Sequence, residues 1–65
     1  MFTKREQEVL DLLVEGYLNR EIAEKLIISI HTVKACKESI YSKLNVHNSV
    51  QAVIKYLIIK GKLKI

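Results

Sequence analysis

Between Ser29 and Leu44 the chain can be wound into a helix with two unlike faces, and that contrast restricts the available folds more than any other feature. At roughly 100° per residue, Val33, Ile40 and Leu44 fall on one apolar stripe. His31, Lys34, Ala35, Glu38 and Ser42 fall largely on the opposite side, a face small and polar enough to enter a DNA groove. Just upstream, Asn19 to Leu26 forms a second, shorter amphipathic segment, a few residues away. Two such segments in tandem are the footprint of a helix-turn-helix, and they point to a DNA-binding module.

Size and composition limit the alternatives. A chain of 65 residues makes one small domain, expected over residues 1–65 because no linker, repeat or low-complexity tract divides it. At this size folding hides only about 60% of the unfolded surface, so the core is thin and a large enclosed active-site pocket is not expected. A hydrophobic fraction of 49% with 28% charged residues excludes disorder. The absence of proline and the presence of only two glycines favour uninterrupted helices, hence an all-α class. The net charge of +4 suits a polyanionic partner, although it equally serves solubility.

Cys36 is the single cysteine and has no internal disulfide partner, which fits a reducing, cytoplasmic setting. No apolar run approaches the ~20 residues needed to span a bilayer. Lys4 and Arg5 are followed by Glu6 and Glu8 rather than by a signal-peptide core, so neither export nor a membrane partner is expected.

Four helices are expected. Thr3 and Glu6 match a capping box, Val9, Leu10, Leu12 and Leu13 supply the first buried stripe, and Gly16 is placed to end that helix in the left-handed conformation. Asn19 is the expected cap of the second helix, with Ile22, Ala23 and Leu26 inward and Glu21 near the positive end of the helix dipole. Ser29 caps the third, and Ile27 with Ile28 is expected to lock the turn into the core. Asn48 and Gln51 read as the start of a fourth helix ending near Gly61.

That last helix carries two apolar stripes. Val50, Val53, Ile54 and Leu57 are expected to face the core, leaving Ala52, Tyr56 and Ile59 on roughly the opposite side. One helix cannot bury both against so small a core, so the second stripe is expected to be the interface of a two-fold homodimer. Scattered exposed apolar residues are the plainer alternative.

Taken together, Thr3 to Leu10, Glu15-Gly16, Glu21 to Leu26, Ser29 with Thr32-Val33-Lys34, Ile40, Lys43-Leu44 and Gln51-Ala52-Val53 resemble the LuxR/GerE-type DNA-binding domain. The resemblance runs from Phe2 to about Ile59. In length the chain looks most like stand-alone GerE-like regulators, although an excised C-terminal domain of a larger regulator would read almost the same. The resemblance implies a four-helix bundle with helices two and three as a central helix-turn-helix, a C-terminal dimerisation helix, and bacterial transcription control.

Carried over by position, the resemblance assigns DNA contact to Thr32 and Lys34 of the Thr-Val-Lys signature and to Ala35. A hydroxyl at a helix start and a flexible cation suit phosphate oxygens, and an alanine methyl can touch thymine. Lys43 is a further phosphate candidate, which completes a candidate DNA-binding set of Ser29, His31, Thr32, Lys34, Ala35, Glu38, Ser42 and Lys43. The bland reading of Thr32 is first-turn capping, and of the lysines, solvated surface charge. The chain departs from the family at Cys36, where histidine is frequent, at Lys37, where arginine is, and at Glu38, where neutral or basic residues are common. The Glu38 carboxylate either accepts from the amino group of cytosine or pairs along the helix with Lys34 or Ser42.

No catalytic residues, metal site, cofactor or small-molecule substrate are expected. His31, Cys36 and His47 are too few and too irregular for zinc, and a half-buried structural thiol is the expected role of Cys36. Glu6, Glu8, Asp11, Glu15, Glu21 and Glu24 are expected on caps and solvent faces. Two readings remain. The first is a dimeric regulator binding double-stranded DNA, with RNA polymerase a possible further partner. The second is a protein-interaction module on the same fold that binds another regulator or RNA polymerase, with little or no DNA binding.

Overall fold

The computed structural model describes residues 2–62; Met1 and residues 63–65, included in the expected single domain, lie outside the described residues. Four α-helices follow one another with no strand among these residues: α1 (Lys4–Val14), α2 (Asn19–Leu26), α3 (Ile30–Leu44) and α4 (Ser49–Ile59). Helix α3 is the hub, packing against all three others. A three-residue turn joins α2 to α3 as a helix-turn-helix.

Side-chain caps start three of the four helices. Thr3 Oγ1 accepts from the Glu6 amide at 3.1 Å while Glu6 Oε1 accepts from the Thr3 amide at 2.9 Å, the expected capping box. Ser29 Oγ accepts from the Thr32 amide at 3.1 Å and Asn48 Oδ1 from the Gln51 amide at 2.9 Å. The second helix corrects the expectation: its cap is Leu18, Asn19 is already helical, and Glu21 Oε1 accepts the Leu18 amide at 2.8 Å.

All four helices end alike. Gly16, Ile27, Asn45 and Gly61 each adopt positive φ, and the following amide closes back on the helix, as in Tyr17 to the Leu12 carbonyl at 3.1 Å and Ile28 to the Ala23 carbonyl at 3.0 Å. Glycine and asparagine suit this left-handed position because the backbone clash is absent or offset. Isoleucine does not. Ile27 holds φ 56° with its side chain 90% exposed, so it ends α2 without packing inward, contrary to the expected lock; only Ile28 packs against the core.

Val9 and Leu10, Ile22 and Ala23, then Val33, Ile40 and Leu44 form the core, as their spacing predicts. The fourth helix is turned the other way from expectation. Ala52 is fully buried and Tyr56 is 8% exposed, whereas Val50 and Ile54 are 67% and 44% exposed. The Tyr56 hydroxyl decides the face, because it accepts a hydrogen bond from Gln7 Nε2 of α1 at 2.7 Å while its ring meets Phe2 edge-on at 6.4 Å between centroids. Ala52 and Tyr56 are therefore core residues of one chain and are not available to a partner; Ile59, near the helix end, stays exposed.

Candidate nucleic-acid interface

Burial of Val33, Ile40 and Leu44 fixes how α3 is rotated, and the rotation leaves its opposite face open. His31, Lys34, Ala35, Glu38 and Ser42 are all exposed there, as the periodicity predicts. The face presents an imidazole, an ammonium, a methyl, a carboxylate and a hydroxyl on a rigid rod. Such a surface offers both donors and acceptors to base edges.

Thr32 and Ser29 stand at the entry to the helix. The two hydroxyls lie 3.0 Å apart, and Ser29 Oγ already accepts the Thr32 amide, so both side chains take part in the cap although both are exposed. Lys43 does not share the open face. Its ammonium lies 2.6 Å from Glu6 Oε1 and 6.0 Å from the centre of the Phe2 ring, on the flank packed against α1.

Glu6 holds its expected place in the cap of α1 and is also buried, which the sequence does not show. Its carboxylate accepts from Lys43, from the Ser39 hydroxyl and from the Thr3 amide, and these bonds, in that order, hold its pKa down at about 2 against burial. Cys36 is half-buried, and burial first, then the Glu6 charge, pushes its thiol pKa up, which disfavours the reactive thiolate.

Two cations escape sequence reasoning. Lys37 of α3 donates to Asn19 Oδ1 of α2 at 2.8 Å, tying the two helices at their open side. With Arg20 and Lys34 it lines a shallow depression between the start of α2 and the start of α3, where Leu18 and Ile30 are also exposed. The signal is the cation immediately after the start of α2, about two turns before the junction with α3. Among the described residues no group of His, Cys, Asp or Glu could hold a metal ion, and no helix is long and apolar enough to cross a membrane.

Known proteins share this arrangement of residues. The family model described as "Bacterial regulatory proteins, luxR family" matches residues 1–56. The chain is 47% identical over 53 residues to the oxygen regulatory protein NreC of Staphylococcus carnosus (strain TM300). It is 45% identical over 53 residues to NreC of Staphylococcus epidermidis and of Staphylococcus aureus. Each match covers 82% of this chain and 24% of the relative, so the chain spans about a quarter of the length of these curated relatives.

Proposed function

The chain belongs to the LuxR family of bacterial regulatory proteins, and from that premise we propose that it is a sequence-specific transcriptional regulator that binds double-stranded DNA as a homodimer. The observation that carries this reading is the open polar face of α3, held against a fully buried apolar stripe on the same helix. A cytoplasmic location is part of the reading, because bacterial DNA is there, and no catalytic step is invoked.

In this reading α3 lies in the major groove with His31, Ala35, Glu38 and Ser42 toward base edges. Arg20, Lys34 and Lys37 flank it and suit phosphate oxygens, which fix register without reading sequence. Lys37 has three donors and gives one to Asn19, so its position is set while donors remain for the backbone. Ser29 and Thr32 act mainly through the cap that orients the first turn, and Lys43 acts on the fold rather than on DNA.

Dimerisation is supported by the outward apolar side chains of α4. Val50 and Ile54 lie on one face with the half-buried Leu57, and Ile59 is 58% exposed at the helix end. A second copy packed there would pair two α3 helices with two half-sites about one helical turn apart. Titrating labelled duplex DNA at several salt concentrations tests the reading. Log affinity should fall against log salt by about 0.9 per phosphate contacted. A flat response would favour the protein-interaction module instead.

A further inference from the structure

Glu38 is the one acidic side chain on the open face of α3, and a carboxylate there faces a polyanion. The sequence leaves open whether a helical neighbour neutralises it. In the structure it is exposed, and among the described residues it makes neither an ion pair nor a side-chain hydrogen bond, although Lys34 and Ser42 stand four residues away on either side. The chain's other lysines near this helix are engaged elsewhere: Lys37 bonds Asn19 and Lys43 bonds Glu6.

Resting on the DNA-binding reading, we infer that Glu38 is a specificity-determining residue that selects a C·G base pair in each half-site by accepting a hydrogen bond from the cytosine amino group. The chemistry of the groove makes the choice. A carboxylate only accepts, and guanine presents two acceptors and thymine an acceptor with a methyl, so both repel it or leave it unpaired. Adenine offers an amino donor but sets an acceptor beside it, whereas cytosine offers its amino group with no acceptor adjacent on the same base. The unpaired carboxylate lowers affinity for every sequence through phosphate repulsion and recovers it only where that donor is met. Glu38 thus makes selectivity greater at the expense of strength.

Selection from random duplexes, with wild type, Glu38→Ala and Glu38→Gln run in parallel, tests this. The side chain is exposed and on a helix, so circular dichroism should show all three equally folded. Wild type should enrich a C·G pair at one position per half-site, worth roughly tenfold in affinity. Glu38→Ala should lose that preference, keep the others and bind random DNA more tightly. Glu38→Gln should shift the same position toward A·T, because an amide both accepts from and donates to adenine. Identical enriched sites for all three proteins, a wild-type site with no C·G preference, or a uniform gain in affinity with unchanged selectivity would overturn the inference while leaving DNA binding in place. Failure of the wild type to enrich any duplex would overturn the DNA-binding reading, and this inference with it.

Discussion

The Lys43 ammonium of α3 lies 2.6 Å from the Glu6 carboxylate of α1, across 37 residues of sequence. The same carboxylate closes the cap of α1 through the Thr3 amide and accepts the Ser39 hydroxyl of α3. One buried side chain therefore starts the first helix and anchors the C-terminal half of the helix proposed to read DNA. The angle at which α3 leaves the core rests partly on this cluster.

Replacing Glu6 with Gln should destabilise the fold by about 1–3 kcal/mol near neutral pH, the range for losing hydrogen bonds to a charged group. The pH dependence has a definite sign. The folded-state pKa of Glu6 is about 2, below the ordinary 4.5. Its charge therefore stabilises the fold fully above about pH 4.5, and that contribution is lost as the pH falls through about 2. Denaturant melts from pH 7 to pH 2 should show wild type losing stability more steeply than Glu6→Gln.

On α4 the two apolar faces should respond differently to substitution. Tyr56→Ala removes a buried ring and the hydroxyl bonded to Gln7, and should cost about 3 kcal/mol of stability in thermal melts. Ile54→Glu alters an exposed position and should leave helicity intact. Sedimentation should nevertheless find it monomeric at concentrations where wild type is dimeric, with DNA affinity reduced at least tenfold.

Ile27 ends α2 at φ 56° with 90% of its surface exposed, a conformation in which a β-branched side chain clashes with its own backbone. Ile27→Asn should relieve that clash without loss of packing and stabilise the chain by about 1 kcal/mol. For a domain of this size that is a rise in melting temperature of roughly 4–8 °C.

The two lysines near the ends of α3 should separate in a salt titration. Lys34→Ala should weaken binding to most sequences and reduce the salt slope by about one unit. Lys43→Ala should leave the slope nearly unchanged and lower thermal stability instead, because its ammonium is committed to Glu6.

What was legible in the sequence was mostly local. The capping box of Thr3 and Glu6, the caps at Ser29 and Asn48, and the buried stripe of Val33, Ile40 and Leu44 depend on spacings of three to seven residues, which periodicity reads directly. The open face of α3 followed from the same stripe. The misread features depend on distant partners. Helix α4 is apolar on two sides, and the side that turns inward is the one whose Tyr56 meets distant partners, the Gln7 amide 49 residues away and the Phe2 ring. Glu6 looked like an ordinary cap because its cap role is real; its burial against Lys43 and Ser39 belongs to the tertiary fold. Asn19 looked like a cap and instead holds Lys37, and Ile27 sits where propensity argues for glycine.

Amide chemical-shift mapping of the isotopically labelled chain on addition of duplex DNA at low salt shows whether the open face of α3 is the surface that meets DNA. The largest shifts are expected at His31, Lys34, Ala35, Glu38 and Ser42 and at the start of α2 near Arg20, with core amides such as Leu10 and Ile40 little changed. Shifts confined to α4, or none along the open face of α3 while DNA is bound, would contradict that assignment.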